Sequence, residues 1–449
     1  MAENSTALKI TLLFVATLTI MAGTTVAPSL PAIEQNFPST ANVGLLSRMV
    51  LTLPSVFVAL CAPVAGMLAD RFGRKRLLLG AILLYSLSGI SGLFADSLAG
   101  LLVGRAFLGL AIGGIMTIGT ALVGDYFEGP ARERYLGLQQ AFTQLGGVFF
   151  VVAGGLLADI HWRAPFAVYA IALLILPAAL LFLKEPARGD SRGGEGGPAF
   201  AVNWPLVAVL AVAVFLVNAL FYTIPSQLPF FMRELGVFSG SVAGYAIGIF
   251  NLAGALTALN FARLRRHMGV AAILAVGLVL MATGFALLAM ADGLVFMLSA
   301  VGVAGLGLGL VMPAIMSTTI MLAPLRLRGR IAGIVTASMF LGHFISPLAS
   351  QPWIARFGFA TAYRDIAVVF ATMAGLALLA ALVQRCALLR KARTFGRGGG
   401  WPGWLRVRVA GATWFGTAGG RNTCGRFIIL ICCRSEGHEG IVKFLTIII

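Results

Sequence analysis

Two ionisable residues lie within long apolar stretches of this chain, where a charged side chain is costly to place. Arg105 follows Asp96 by nine residues, which places it roughly 13 Å further along a helix. Its guanidinium could bind a solute or couple transport to an ion, or it could brace helix carbonyls. His343 lies between Gly342 and Phe344, and an imidazole can exchange a proton near neutral pH or simply pack with one hydrogen bond. Both residues are candidates for solute binding or coupling, with a structural role as the alternative.

Uncharged polar side chains are also scattered through the apolar stretches. Amides and phenols in such positions either line a solute cavity or hold neighbouring helices together. Spacing alone leaves both interpretations open, but a cavity with few charges suits a neutral or amphiphilic solute better than a strongly charged one. These further candidates are Asn218, Tyr222, Asn251, Gln140 and Gln144.

Other chemistry finds no support in the sequence. None of the five lysines follows a glycine, which excludes a phosphate-binding P-loop and direct use of ATP. The sequence GGGWPG at 398–403 fits a dinucleotide-binding pattern by chance, because no strand precedes it. His438-Glu439 lacks the second histidine of a zinc-protease motif, and no apolar stretch holds paired carboxylates. We therefore expect no enzyme activity, no metal site and no cofactor.

The elements that hold these candidates are predicted to be membrane-spanning helices. The chain has 449 residues, of which 59% are hydrophobic and only 11% charged, unlike a soluble protein. A helix needs about 20 largely apolar residues to cross a bilayer. A signal peptide at 10–27 is the weaker interpretation of the first span, because eleven more follow it. The twelve predicted spans are 10–33, 49–69, 77–95, 106–124, 135–158, 164–183, 196–232, 235–262, 267–291, 293–325, 331–355 and 366–384.

The charged residues predict how these helices are oriented. If the N-terminus is cytoplasmic, alternate loops on that side hold fifteen lysines and arginines, and the loops on the other side hold five. This asymmetry is typical of the positive-inside rule. It accounts for much of the formal net charge of +17 without a nucleic-acid partner. It predicts a multi-pass protein of an inner (plasma) membrane, with both termini in the cytoplasm.

An internal duplication divides the chain. A shift of 196 positions aligns Gly109 with Gly305 and Gly113 with Gly309. Between the two copies, residues 184–203 are rich in glycine and charge, as in a flexible cytoplasmic linker. Two such units, inserted with the same orientation, can enclose a site near the membrane midplane and expose it to each side in turn. The predicted fold is an all-α integral membrane protein with twelve helices in two pseudo-symmetric six-helix bundles.

The densest charge cluster is the turn GMLADRFGRKR at 66–76, with five charges in seven positions. Gly66 would let the second predicted helix approach a neighbour closely, and Gly73 permits a tight reversal. A protein that alternates between two states needs contacts that hold in one state and release in the other. We assign this latch role to Asp70 and Arg74, whereas Lys75 and Arg76 could serve only to fix topology.

This turn resembles the signature loop between the second and third helices of the major facilitator superfamily. LLVGRAFLGLAIGG at 101–114 is similar to the fourth-helix motif of that family, with Arg105 at its membrane-embedded arginine. WRAPF at 162–166 and FLGHFISP at 340–347 also look like family segments. The resemblance covers residues 7–386 and implies a charge cluster of Asp70, Arg74 and Asp125 that stabilises the outward-facing state. The full set of latch residues is Gly66, Asp70, Arg71, Gly73, Arg74 and Asp125.

Within the family the chain looks most like the twelve-helix drug–proton antiporters. Two departures from that subgroup leave exchange direction and proton coupling open. The fifth-helix antiporter motif has Gly-Pro two residues before Gly-Gly, but here Phe150-Val151 precede Gly154-Gly155. Many proton-coupled relatives also carry a carboxylate inside the first helix, whereas residues 10–33 contain none.

The predicted organisation has four regions: an N-terminal bundle at 1–183, the linker at 184–203, a C-terminal bundle at 204–385 and a tail at 386–449. The tail holds three of the six tryptophans and its apolar runs are too short to span a membrane, so we expect a disordered extension, with a small regulatory element as the alternative. Cys61 is the only cysteine before Cys386, so the helical core needs no disulfide.

The sequence therefore predicts a secondary active transporter. Its expected activity is proton-coupled efflux of small amphiphilic compounds or drugs by a monomer in the lipid bilayer, with protons as the coupling ion. Proton-coupled uptake of a small organic metabolite is the alternative within this class. A membrane sensor that uses the same scaffold without solute flux is the alternative from another class.

Overall fold

The computed structural model describes residues 6–127, 129–185, 204–322, 327–397, 428–433 and 443–448. Apolar composition makes nearly all of this helical, since a backbone in lipid must satisfy its own hydrogen bonds. Short 3₁₀ turns at Ala27–Ser29, Ser91–Leu93 and Ala164–Ala170 join or extend some helices. The helices are α1 (Thr6–Thr24), α2 (Leu30–Asn36), α3 (Val43–Phe72), α4 (Arg74–Ile90), α5 (Leu98–Tyr126), α6 (Gly129–Ile160), α7 (Ile171–Phe182), α8 (Trp204–Phe221), α9 (Thr223–Glu234), α10 (Gly240–Arg265), α11 (Val270–Ala289), α12 (Leu294–Leu322) and α13 (Arg328–Arg397).

Eleven helical stretches of the described residues are long and apolar enough to cross a membrane. The fourth predicted span, 106–124, is too short at its start, because α5 begins at Leu98 and runs through Arg105 without interruption. A prediction that ends each span at a charged residue cannot detect a membrane-spanning helix that contains a buried cation. The last stretch, Arg330–Val383, has 54 residues and merges the predicted eleventh and twelfth spans.

The chain reverses direction within α13. Gly358 has φ +78°, a left-handed conformation that residues with a side chain rarely adopt, and it interrupts the helix. Across this point, Trp353 Nε1 donates a hydrogen bond of 3.1 Å to Asp365 Oδ2. Residues twelve positions apart in a straight helix would be about 18 Å apart. The two segments of α13 therefore run back against each other near Gly358.

Close helix packing repeats along the chain at a fixed offset. A Cβ at Gly109 would overlap the backbone of Pro54, and a Cβ at Gly305 would overlap the backbone of Phe250. Both members of the second pair lie 196 positions after those of the first. Thus α5 packs on α3 as α12 packs on α10. The same offset relates a second pair of contacts, Gly113–Val58 and Gly309–Gly254.

The N-terminal half (residues 6–185) meets the C-terminal half (residues 204–397) mainly where α3 packs on α13 and α6 packs on α10, and α9 adds contacts with α2 and α3. We call the end of the molecule with the turn 66–76 the basic end, and the other end the opposite end. At the opposite end, glycines let α6 and α10 approach closely, since a Cβ at Gly244 would lie 2.8 Å from the Val151 carbonyl oxygen. Near the basic end, apolar side chains of α3 and α10 are exposed, among them Met67 and Leu259.

The tail contains structure that the sequence analysis did not predict. Strands β1 (Ile428–Cys433) and β2 (Lys443–Ile448) pair antiparallel, with Ile428 opposite Ile448. Their β-branched residues favour this conformation. Helix α13 also continues to Arg397, beyond the predicted boundary at 385. The rest of the tail and the linker at 186–203 lie outside the described residues.

Candidate functional site

Arg105 lies in an aromatic cage in the N-terminal half, and only 1% of it is exposed. Its Nη1 donates a hydrogen bond of 2.9 Å to the Tyr169 hydroxyl. The guanidinium carbon lies 4.6 Å from the centre of the Phe166 ring and 4.9 Å from that of Tyr169. Aromatic faces stabilise a desolvated cation. Nη2 is buried and has no hydrogen-bond partner among the described residues, so this cation can still donate to an acceptor.

Tyr169 connects the Arg105 cage to two other helices. Its hydroxyl accepts from Arg105 and donates to the Ala22 carbonyl oxygen of α1 at 3.1 Å. Its backbone carbonyl accepts from Ser86 of α4 at 3.0 Å. The sequence analysis missed Tyr169 and Phe166 as site residues. The WRAPF segment, which ends at Phe166, was the one signal that could have indicated them.

His343 forms a second polar cluster in the C-terminal half. Its ring stacks on Tyr222 with centroids 4.1 Å apart, and its Nε2 lies 3.0 Å from Asn218 Oδ1. Asn218 Nδ2 already donates to the Val214 carbonyl oxygen at 2.7 Å, which fixes Oδ1 as the acceptor. His343 Nε2 therefore carries the hydrogen of this bond.

Tyr222 links the His343 cluster to the Arg105 cage. Its hydroxyl oxygen would lie 3.4 Å from a Cβ at Gly23 of α1. The Tyr169 hydroxyl, which accepts from Arg105, donates to Ala22, the residue before Gly23. The structure thus brings the two ionisable candidates to the same level, on either side of α1. Asn251 is elsewhere on α10, and its buried Nδ2 has no partner among the described residues.

A cavity of about 330 Å³ lies between α1, α5 and α6 on the basic-end side of this level. This volume is within the range of small-molecule sites, about 300–1,000 Å³. Its walls are apolar apart from hydroxyl and amide side chains, and none of its lining residues is charged. Gln140 lines this cavity, and Gln144 is half-buried one turn further along α6. The polar lining residues are Thr19, Thr120, Gln139, Gln140 and Thr143.

Two of the predicted latch residues, Arg74 and Asp125, form an ion pair at the basic end. Arg74 Nη1 donates to the Asp125 carboxylate and so joins the start of α4 to the end of α5. Both side chains of this pair are about a quarter exposed. Arg71 is exposed. The Asp70 side chain lies outside the described part of the structure, so its predicted place in the cluster stays a prediction.

Glu185, which the sequence analysis missed, caps α4 at this turn. Its Oε1 accepts from the Arg74 backbone N–H at 2.6 Å and its Oε2 from that of Lys75 at 3.0 Å. A carboxylate at a helix N-terminus satisfies donors that the helix itself cannot. Gly73 has φ +97° and a Cβ there would lie 3.1 Å from the carboxyl group of Glu185. Gly66 faces Thr117 of α5, with room for a Cβ at 3.7 Å.

Comparison with known proteins identifies the family. The sequence profile of the Major Facilitator Superfamily matches residues 12–347 and again 210–435. The chain belongs to the major facilitator superfamily. The resemblance of the turn 66–76 and the fourth-helix motif to this family is therefore confirmed.

Relatives within the superfamily include resistance proteins and exporters. Tetracycline resistance protein, class C, of Escherichia coli is 28% identical over 276 residues, which cover 59% of this chain and 69% of that protein. The bacillibactin exporter of Bacillus subtilis is 34% identical over 146 residues, 31% of this chain and only 36% of that protein. An inward-facing, unoccupied structure of a bacterial homologue of the lysosomal transporter Spinster superposes with TM-score 0.68 at 18% identity, covering 84% of this chain and 98% of that one. This superposition supports the fold alone.

Displacing Tyr169 should impair this superfamily member without touching Arg105. A Cβ at Gly89 of α4 would overlap the Tyr169 ring. We expect Gly89→Val to push the ring from Arg105 and to lower solute flux roughly tenfold, since overpacking costs about 1–3 kcal/mol. Flux into vesicles, normalised to inserted protein, measures the effect. The matched control is Gly80→Val in the same helix, where nothing lies within 4 Å; equal losses in both variants would contradict the prediction.

Proposed function

We propose that this chain is a secondary active transporter that exports small amphiphilic compounds in exchange for protons by alternating access. The observation that carries the proposal is an uncharged cavity that lies between the basic end and the helix contacts that join the two halves. Towards the opposite end from the cavity, α3 contacts α13 and α6 contacts α10. The cavity lies nearer to the basic end than these contacts do, so we propose that a solute reaches it from the basic end.

The proposed architecture has twelve helices in two six-helix bundles that rock against each other. The reversal at Gly358 supports two crossings for residues 330–383, and the glycine contacts repeated at an offset of 196 support a duplicated bundle. By the charge asymmetry, the basic end faces the cytoplasm of an inner (plasma) membrane and both termini lie on that side. The protein would work as a monomer in the bilayer.

The proposed substrate class follows from the cavity lining. Threonine hydroxyls and glutamine amides can bind donors and acceptors of a solute, while the apolar wall covers its hydrocarbon part. No lining residue of this cavity offers a charge to an ion. We propose export as the direction because two relatives are named as a tetracycline resistance protein and a bacillibactin exporter. Another relative is named as a niacin transporter, so uptake stays the alternative that flux measurements decide.

We assign coupling to the level of Arg105 and His343. Arg105 is buried and His343 is half-buried. The tyrosines that contact them, Tyr169 and Tyr222, lie against neighbouring residues of α1. A proton or a solute acceptor that reaches Arg105 would alter its hydrogen bond to Tyr169. Through Tyr169 it would alter the packing of α1, which Tyr222 of the C-terminal half also contacts. The Arg74–Asp125 pair joins α4 to α5 within the N-terminal half, and we propose that it fixes the surface of this half that meets the C-terminal half when the basic end closes.

Flux in sealed vesicles with an imposed pH gradient tests the proposed function. Reconstituted full-length protein should move a neutral or cationic amphiphilic dye from its basic-end side against the dye gradient, and a protonophore should abolish this movement. Empty vesicles provide the baseline. Movement in the other direction would favour uptake, and dye binding without flux under any gradient would favour a sensor.

A further inference from the structure

Arg48 forms a buried bridge between the halves at the opposite end. Only 4% of the residue is exposed. Its Nη1 donates to Glu34 Oε2 of α2 at 2.8 Å, within the N-terminal half. Its Nε donates across the interface to Gln227 Oε1 of α9 at 2.7 Å, and its guanidinium carbon lies 3.5 Å from the centre of the Phe230 ring. Glu34 therefore orients a cation that contacts the C-terminal half.

Gln227 extends this bridge to α13. It is fully buried. While its carbonyl oxygen accepts from Arg48, its Nε2 donates to Ser350 Oγ at 2.9 Å and lies 3.4 Å from Gln351 Oε1. The Gln227 carbonyl oxygen thus bonds the N-terminal half, and its amide nitrogen bonds α13 of the C-terminal half. An amide can accept from a cation and donate to a hydroxyl at once, which neither a carboxylate nor an apolar side chain can do.

Asp159 forms a second connection on the other side of the interface. Its Oδ1 accepts from the Gly240 backbone N–H at 2.5 Å, and its Oδ2 accepts from the Ser241 backbone N–H and the Ser239 hydroxyl, both at 3.1 Å. These donors form the first turn of α10, where the helix dipole favours a negative charge. A carboxylate of the N-terminal half therefore caps a helix of the C-terminal half.

The internal duplication relates these two connections. The first joins the start of α3 to residues 350–351 of α13, and the second joins the start of α10 to the end of α6. A shift of 196 positions takes Arg48 to Gly244 of α10 and Asp159 to Ala355 of α13. The two interfaces are thus equivalent in position but differ in chemistry. One depends on a cation and a neutral amide, and the other on a carboxylate and backbone donors.

We propose that the Arg48–Gln227 bridge and the Asp159 cap are the two clasps of a gate, and that both separate when the opposite end opens to release solute. This proposal rests on the alternating-access function proposed above. Each clasp is held by hydrogen bonds that water can replace, so the gate can open without leaving a buried charge unpaired. Because Gln227 is neutral, the first clasp is weaker than a buried ion pair would be, and it can release.

Distances between the halves test the gate without any substrate. Spin labels at Ser39→Cys and Asp292→Cys, both exposed at the opposite end, report its opening in full-length protein in lipid nanodiscs, with the five native cysteines replaced. Gln227→Ala removes the hydrogen bond that charged Arg48 donates and the one that Gln227 donates to Ser350. The ratio of open to closed protein should therefore rise roughly tenfold or more. Asp159→Asn, which loses the charge on the cap, should raise it as well. Gln35→Ala, an exposed neighbour of Glu34, is the matched control and should leave the distances unchanged.

A second variant makes the test independent of folding defects. Gln227→Glu places a carboxylate against Arg48, so it should lower the open population below that of the parent protein. The gate is refuted if Gln227→Ala and Asp159→Asn keep the parent distance distribution, or if Gln227→Glu opens the protein. Because the measurement needs no flux, its failure would not count against export, and a failure of export would not count against the gate.

Discussion

Replacing Arg105 by alanine should strongly reduce solute flux, while the protein still inserts into the membrane. Arg105 is a fully enclosed cation that bonds Tyr169 and keeps one donor, Nη2, without a partner among the described residues. Hydrogen bonds to a charged group contribute about 1.5–3 kcal/mol, so loss of this centre should lower flux by roughly 10- to 100-fold. Flux under an imposed pH gradient, normalised to inserted protein, measures the loss.

Two further variants show whether the position or only the charge matters. Arg105→Lys keeps a cation but loses the planar fork that can bond Tyr169 and a second acceptor together, so we expect partial flux. Arg356→Ala removes an exposed arginine at the opposite end and should leave flux unchanged. Parent-level flux in Arg105→Ala would show that this arginine only braces the helices. An equal loss in Arg356→Ala would show a general effect of removing positive charge.

The sequence predicts site residues where a residue type is unusual for the segment that contains it. Arg105 and His343 could be selected because an ionisable group in an apolar helix is unusual. Tyr169 and Phe166 could not, because aromatic residues fill the interior of any membrane protein and this chain has 31 phenylalanines. Their role depends on which face of the segment after α6 meets Arg105. That is a matter of tertiary packing, which spacing along the chain does not contain.

Arg48 shows how the same charge-based method can mislead. It directly precedes the predicted span 49–69 and was therefore counted among the loop charges. The helix begins at Val43, five residues before Arg48, and Arg48 packs against α2 and α9. A charge at the edge of an apolar run can be exposed or can be buried at an interface. Only the packing of the second half of the chain, more than 170 positions away, distinguishes the two.

The duplication was the most predictive property of the sequence. Aligned glycines predict the offset of 196, and the structure shows why these positions need glycine. At Gly109 and at Gly305, a side chain would overlap the backbone of the neighbouring helix. What the offset could not predict is where the two copies differ, as they do at the two interfaces of the opposite end.

Neutralising the latch carboxylate with Asp125→Asn should suppress flux about tenfold and barely change thermal stability. The Arg74–Asp125 pair joins α4 to α5 at the basic end and is about a quarter exposed. An ion pair of this kind contributes about 0–1 kcal/mol to stability in general. A latch, however, acts on the balance between two folded states, where the loss of a charge-assisted bond shifts populations roughly tenfold. Flux and the melting temperature of the same preparation separate these two effects.

A charge swap decides whether the pair itself matters. If Arg74 and Asp125 act through their mutual contact, the double variant Arg74→Asp, Asp125→Arg should recover part of the flux that each single variant loses. Glu185→Gln is the control at the same turn. It weakens the cap on the backbone of α4 but keeps the Arg74–Asp125 pair, so it should lower stability more than flux. No recovery in the double variant, or parent-level flux in Asp125→Asn, would assign these charges to membrane topology.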